Sequence, residues 1–116
     1  MTIKESTHDG IVVLTLKGNL VNEGDLSKLK EKVHGLLNND IKKIIFDLGG
    51  VNFINSSGLG VLISSLTSVR NAGGEMCLAH LGDNVENLFV ITKLIKVFET
   101  YETLEDALKS FSGKKK

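Results

Sequence analysis

Apolar residues recur along this chain with two different spacings, which predict alternating strands and helices. Short runs of β-branched and other apolar residues are typical of buried strands. These runs are residues 11–16, 44–48, 75–81 and 96–101. In four other stretches apolar residues recur every three or four positions, which predicts helices with one buried face. These stretches are residues 26–37, 59–69, 85–89 and 104–111. Residues 2–7 precede Asp9-Gly10, a hairpin signal, and are predicted to form an edge strand.

The predicted order, ββαβαβαβα, implies an α/β fold. Strands that alternate with helices pair mainly in parallel, and an initial hairpin adds one antiparallel strand. We therefore expect a mixed, mostly parallel sheet of about five strands covered by about four helices. A length of 116 residues fits one domain, residues 1–116, with a core from about 3 to 111 and a tail at 112–116. The lysines at 114–116 are predicted to be a solvated end.

Polar residues near the predicted helix starts indicate how the helices are capped. Asn22 is a suitable N-cap for the first helix. Asp83 with Glu86 resembles a capping box for the third helix, and Thr103 with Asp106 is expected to cap the fourth.

Composition narrows the classes of function. Lysine plus arginine and aspartate plus glutamate number 14 each, so the net charge does not indicate binding to nucleic acid. The single cysteine, Cys77, fits a reducing cytosol. No apolar stretch approaches the roughly 20 residues that span a bilayer, and the N-terminus lacks the apolar segment of a signal peptide. We expect a cytoplasmic protein that binds neither nucleic acid nor membrane.

Motifs of common catalytic and cofactor sites are missing from the sequence. A nucleophile elbow needs glycine two residues before its serine, and Ile54 stands there before Ser56. No Walker A loop, complete dinucleotide fingerprint or zinc-binding spacing of cysteine and histidine is present. Asp47 is as consistent with an ordinary strand end as with a catalytic acid. We expect no enzymatic activity, cofactor or metal, and a small hydrolase is the disfavoured alternative.

Residues 53–66, FINSSGLGVLISSL, place two serines and a glycine directly before a helical pattern. One of Ser56 and Ser57 is expected to cap the helix, and Gly58 leaves room for a tight turn. A serine at this position is also accessible to a kinase. A phosphate there would meet unpaired amides and the positive end of the helix dipole. The pattern indicates a capped helix, with or without a second role in phosphorylation.

Small polar residues follow the outer side of the same predicted helix. Gly60, Ser64, Thr67 and Asn71 recur at spacings of four, three and four. This stripe is either an ordinary solvated face or a surface that another protein approaches closely.

The motif resembles a known family. FINSSGLGVLISS, preceded by IIFDLGGV and followed by GGEMCLAHL, is similar to the STAS domain, especially to stand-alone bacterial anti-sigma factor antagonists. The family pattern is a strand ending in Asp-Leu, a short apolar turn and then Asp-Ser-Ser/Thr-Gly-Leu-Gly. The resemblance covers roughly residues 3–111 and agrees in length, element order and motif position.

The resemblance implies a partner switch. An antagonist of this class binds an anti-sigma factor that is also a serine kinase of the histidine-kinase-like ATPase class, and so frees a sigma factor. The kinase phosphorylates the first serine of the motif, here Ser56, and the complex dissociates. A metal-dependent serine/threonine phosphatase reverses the modification. The chain itself is then a substrate, with Asn55, Ser57 and Gly58 supporting the phosphosite.

The same resemblance implies a partner-binding surface. Its residues would be Asn19 and Val21 in the loop after the second strand, and Gly60, Ser64 and Thr67 on the helix.

Two residues depart from the family pattern. Asn55 stands where the family usually has aspartate, and Val21 stands where many members have an acid. Both lie where the partner and the phosphate would sit. The alternative function is therefore a STAS binding module that is not switched at Ser56, such as a scaffold component or a small subunit of a lipid-transport ATPase.

Overall fold

The computed structural model describes the backbone of residues 1–113 and the side chains of residues 1–111. Its element order confirms the predicted ββαβαβαβα, with a 3₁₀ turn added at Leu94–Lys96. The strands are β1 (Thr2–His8), β2 (Ile11–Lys17), β3 (Lys43–Gly50), β4 (Glu75–Ala79) and β5 (Glu99–Tyr101). The helices are α1 (Glu23–Asn38), α2 (Ser56–Asn71), α3 (Asp83–Ile91) and α4 (Leu104–Gly113). Helix α4 thus extends two residues into the predicted tail, whose lysines at 114–116 lie outside the described residues.

The described strands form one mixed sheet, as the sequence predicts, and their order across it is β1-β2-β3-β4-β5. β1 and β2 form an antiparallel hairpin, in which Asp9 and Gly10 supply the positive φ angles, 52° and 83°, of a two-residue turn. The other neighbours pair in parallel. The carboxyl ends of β2, β3 and β4 therefore lie at one edge of the sheet, where the loops to α1, α2 and α3 begin.

Helices cover both faces of the sheet. α1, α2 and α3 pack on one face, in a cluster that includes Leu14, Phe46 and Phe89. α4 covers the other face, where Phe111 joins a smaller cluster with Ile45. None of the helices in residues 1–113 combines the length and the apolar character that a membrane span needs.

Two predicted strands are shorter in the structure. β4 ends at Ala79, two residues early, because His80 adopts a left-handed backbone conformation with φ of 59°. β5 begins only at Glu99, since the 3₁₀ turn takes up the start of the predicted strand at 96–101.

Of the caps predicted for α1, α3 and α4, two are confirmed and one is wrong. The side chains of Asn22 and Thr103 each accept a hydrogen bond from the amide three residues later, at the starts of α1 and α4. The capping box predicted from Asp83 and Glu86 does not form. α3 instead starts after Gly82, which has no side chain to accept a bond, and the two carboxylates occupy the first helical turn.

Candidate functional site

Two loops at the carboxyl edge of the sheet run side by side, and we refer to them as the loop pair. They are residues 18–22, after β2, and residues 51–55, after β3. Two amide-to-carbonyl hydrogen bonds join them: Leu20 to Phe53 (3.0 Å) and Asn55 to Leu20 (3.3 Å). A third, from the Gly18 amide to the Gly50 carbonyl (3.0 Å), joins the first loop to the end of β3. Leu20 and Ile54 form a parallel bridge, and both side chains are buried. The sheet thus continues for a short distance beyond its last regular residues and carries the start of α2.

Asn55 connects the loop pair to α2 through both ends of its side chain. Its backbone is extended, and its Oδ1 accepts a hydrogen bond of 2.8 Å from the Gly58 amide, so Asn55 is the N-cap. The prediction that Ser56 or Ser57 caps the helix is therefore wrong. The Nδ2 of Asn55 donates to the Val21 carbonyl at 3.4 Å. An aspartate could accept the first bond but could not donate the second.

Gly58 allows α2 to approach the loop pair closely. A Cβ atom at this position would lie 2.4 Å from the Leu20 carbonyl oxygen and 2.7 Å from Cγ2 of Ile54. Only a residue without a side chain fits there. Gly60, one half-turn further along α2, has no such neighbour within 4 Å.

Ser56 and Ser57 are the first two residues of α2, and both are exposed. The first turn of α2 contains no acidic residue, whereas the first turns of the other three described helices each contain two. The partial positive charge at a helix N-terminus is therefore not offset by a carboxylate in α2. A phosphate on Ser56 would supply negative charge at the helix end that lacks it.

Three large apolar side chains near these serines are exposed to solvent. Val21 and Phe53, on the loop pair, are 39% and 55% exposed, and Ile63, on α2, is 37% exposed. Phe53 is a site residue that the sequence did not indicate. It lies with the exposed Asn52 between the buried residues Val51 and Ile54, so no alternation of buried and exposed side chains marks its position.

The outer side of α2 extends this surface away from Ser56. Gly60, Ser64 and Thr67 are exposed, as the helical spacing predicts. The Thr67 hydroxyl donates to the carbonyl of Ile63 at 3.0 Å. Eleven residues of helix separate Ser56 from Thr67, a distance of about 16 Å.

The apolar stripe predicted within residues 59–69 is partly wrong, because Ile63, which fits its helical spacing, is exposed. The structure buries Val61 and Ser65 instead, beside the correctly predicted Leu62. The close contact of Gly58 with the loop pair sets the rotation of the helix, and this rotation turns Ile63 outward.

The predicted site residues accordingly fall into two groups. One group lies at or beside the loop pair: Asn19, Val21, Asn55, Ser56, Ser57 and Gly58. The other follows the outer side of α2: Gly60, Ser64 and Thr67. We call the two groups, together with Phe53 and Ile63, the Ser56 surface.

Residues 2–107 match the model of the STAS domain family. This chain belongs to the STAS domain family. It is 26% identical to BtrV of Bordetella bronchiseptica, a candidate anti-sigma factor antagonist, over 89% of this chain and 88% of that protein. It is 24% identical to the anti-sigma F factor antagonist of Paenibacillus polymyxa over 93% of this chain and 92% of that protein.

Comparison with solved structures supports the same assignment. A candidate anti-sigma factor antagonist from Thermotoga maritima, known from a crystal structure, superposes with a TM-score of 0.86 at 28% identity. The match covers 93% of this chain and 92% of that one. The STAS fold predicted from the motif is thereby confirmed.

Asp47, in the strand-end Asp-Leu of the STAS motif, connects the ends of two strands. Its Oδ1 accepts a hydrogen bond from the Gly49 amide at 3.0 Å and lies 3.0 Å from Nδ1 of His80. Because side chains alternate along a strand, Asp47 leaves the sheet on the same side as Ile45, towards α4. α2 and Ser56 belong to the opposite side. The pair therefore does not form a catalytic arrangement with Ser56, which argues against the hydrolase alternative.

The two glycines at the start of α2 should respond in opposite ways to alanine. Gly58→Ala forces a methyl group against the Leu20 carbonyl, and we expect it to lower the free energy of unfolding by about 2–3 kcal/mol. Gly60→Ala adds a methyl group in open space and removes a flexible residue from a helix, so we expect a gain of about 0.5–1 kcal/mol. Urea unfolding of both variants tests this. Equal effects would show that Gly58 does not determine how α2 is seated.

Proposed function

We propose that this STAS protein is an anti-sigma factor antagonist switched by phosphorylation of Ser56. In the unmodified state it binds an anti-sigma factor that is also a serine kinase of the histidine-kinase-like ATPase class, and so releases a sigma factor. Phosphorylation of Ser56 by that kinase ends the binding. A metal-dependent serine/threonine phosphatase restores the active form. The protein acts in the cytoplasm and carries no catalytic residues or cofactor of its own.

The position of Ser56 supports the proposal most strongly. Ser56 is exposed, it begins a helix whose first turn has no carboxylate, and Phe53 is exposed on the adjoining loop. The helix end favours the added charge, so the modified chain keeps its fold. The site therefore accepts a phosphate without local unfolding.

The apolar part of the Ser56 surface explains how a phosphate would release a partner. A protein that covers Val21, Phe53 and Ile63 removes water from the neighbouring Ser56. A dianionic phosphate inside such an interface loses its hydration, and an unpaired buried charge costs several kcal/mol. Because the charge arises in the interface itself, binding can be lost without any change in the fold of this chain.

The outer side of α2 gives the partner room for close approach. Gly60 and Ser64 present little or no side chain, so another helix or loop can approach the α2 backbone. Asn19, exposed on the loop pair, would lie at the margin of the same interface.

A STAS binding module without a switch is the second candidate, and Asn55 favours it. The residue takes the place of the aspartate usual in the family, and its Nδ2 is engaged by the Val21 carbonyl. In that case the chain would bind its partner through the same surface, and Ser56 would remain unmodified.

Ser56 should be the modified serine, and Ser57 should not. We expect the chain purified from its native host to carry a phosphate that phosphatase treatment removes, as read by intact-mass spectrometry. Ser56→Ala should abolish the modification. Because Asn55 rather than Ser56 is the N-cap, the substitution should change stability by no more than about 0.5 kcal/mol. Ser57→Ala is the matched control and should keep the phosphate. A phosphate that persists in Ser56→Ala would show that Ser56 is not the modified serine.

Ser64→Arg should impair partner binding without affecting the fold. The side chain is exposed, so stability should stay within about 0.5 kcal/mol of the parent, while the bulky cation blocks close approach to α2. We expect affinity for the partner captured from host extract to fall at least tenfold, or about 1.4 kcal/mol, by calorimetry. Ser27→Arg, on the exposed side of α1, is the matched control. Normal binding by Ser64→Arg would show that this part of α2 does not contact the partner.

Asn55→Asp should speed phosphoryl transfer to Ser56 at least several-fold. The carboxylate still caps Gly58, loses the bond to the Val21 carbonyl, and gains an oxygen that can orient the serine hydroxyl or accept its proton. Repulsion between this carboxylate and the phosphate formed on Ser56 opposes the transfer. It amounts to about 1 kcal/mol for two exposed charges some 4 Å apart. The single-turnover rate with the captured kinase and ATP measures the balance.

Asn55→Ser is the control for that rate, because it keeps a capping oxygen without charge and should give no acceleration. An unchanged or slower rate in Asn55→Asp would show that the carboxylate has no part in the transfer. Transfer seen only in Asn55→Asp, and absent in the natural chain, would establish the binding module without a switch.

A further inference from the structure

The Ser56 surface carries no charged side chain. Residues 48–69 form the longest stretch of the chain without a charged residue, and residues 18–22, the first loop of the loop pair, contain none either. Because 24% of all residues are charged, the 22 residues 48–69 would carry about five charges at the average frequency. The absence of charge therefore extends to the exposed positions of both segments as well as the buried ones.

Helix α1 shows that exposure to water does not explain this composition. It has 16 residues, as α2 does, and packs on the same face of the sheet. Six residues of α1 are charged, whereas α2 contains only Arg70, in its last turn. Before Arg70, the exposed side of α2 consists of serine, glycine, threonine and Ile63.

A second exposed apolar surface gives a further contrast. Val90, Ile91 and Val97, at and beyond the end of α3, are 54%, 78% and 43% exposed. Glu86 precedes them in the chain, and Lys93 lies among them. Exposed apolar side chains of this protein are thus not always surrounded by neutral ones, and the neutrality of the Ser56 surface is a property of that surface.

Depletion of charge is typical of the centre of a protein interface, where a buried charge loses its hydration. The two departures from the family pattern have the same effect. Val21 and Asn55 each stand where an acid is usual, so both remove a negative charge from this surface. The charges nearest to the first loop in the sequence, Lys17 and Glu23, have opposite signs, and the formal net charge of the chain is zero. No excess charge is present to attract a charged partner.

Building on the proposed function, we infer that the anti-sigma factor meets the Ser56 surface with an uncharged, largely apolar face. The phosphate on Ser56 is then the only charge in the contact. A partner with a lysine or arginine at this place would bury its cation unpaired, since neither Val21 nor Asn55 offers a carboxylate. The two neutral residues thereby exclude kinases that pair with the acids of other family members. Nucleic acids and anionic membranes are bound through cations, and this surface has none.

An uncharged contact also determines how the phosphate releases the partner. Against an acidic partner the phosphate would act by repulsion between exposed charges, which salt screens. Against an uncharged partner it acts by losing its own hydration inside the contact, and salt in the solvent does not replace that hydration. The two routes of release therefore respond differently to ionic strength.

The salt dependence of binding is the first test. Calorimetry would measure the dissociation constant of the chain with the anti-sigma factor captured from host extract, at about 0.1 M and 1 M NaCl, where the screening lengths are about 10 Å and 3 Å. We expect the two values to agree within about threefold. A loss of about tenfold or more at high salt would show ion pairs in the contact. That result would overturn the inference and leave the proposed switch intact.

A charge added at Val21 is the second test. Val21→Asp should weaken binding by about tenfold or more, because the partner offers no cation to the buried carboxylate. Val21→Asn is the matched variant, since it removes the same apolar contact without adding charge, and it should retain most of the affinity that Val21→Asp loses. Ser27→Asp, on the exposed side of α1, should bind normally. Equal affinities of Val21→Asp and Val21→Asn, with both folded by thermal melts, would overturn the inference.

Ser56→Asp separates the two routes of release, with Ser56→Asn as its uncharged match. Ser56→Asp should weaken binding equally at both salt concentrations, and recovery at about 1 M NaCl would instead show repulsion by an acidic partner. A partner that binds independently of salt but never phosphorylates Ser56 would refute the switch alone. No partner captured at either salt would refute the switch and the inference together. Self-association of the chain that Val21→Asp abolishes would assign the surface to a second copy.

Discussion

The contact between Gly58 and the loop pair determines the geometry of the whole Ser56 surface. The Leu20 carbonyl lies so close to Gly58 that no side chain fits between them. This contact holds the first turn of α2 on the extension of the sheet formed by Leu20 and Ile54. It brings a loop from β2 beside a helix that follows β3, although the two segments are more than thirty residues apart in the chain. The same contact sets the rotation of α2 about its own axis.

Hydrogen bonds of the Asn55 side chain add to the contact between α2 and the loop pair. Its side-chain oxygen caps the helix and its nitrogen holds the Val21 carbonyl, so a single amide joins α2 to the neighbouring loop. A carboxylate can do only the first. The departure of this chain from the family pattern therefore has a structural consequence as well as a chemical one, because it exchanges a negative charge beside Ser56 for a tie to the loop that carries Val21.

The two exposed apolar surfaces have different surroundings. Around Ser56, Phe53 and Ile63 stand among small, uncharged side chains, and the helix end is without carboxylates. Around Ile91, the apolar side chains stand between acids and bases. The first suits an interface that an added phosphate can abolish.

Sequence alone determined the element order, the mixed sheet and the STAS family, because hydrophobic periodicity, turn signals and the Ser-Ser-Gly motif are local properties of the chain. It also located the stretch that begins at Ser56. Only the tertiary structure decided that Asn55 caps the helix, that Ile63 faces solvent and Ser65 does not, and that Phe53 stands exposed beside Val21. Each of these depends on how closely α2 approaches Leu20. Contacts between segments distant in the chain decide that approach, and no local pattern records them.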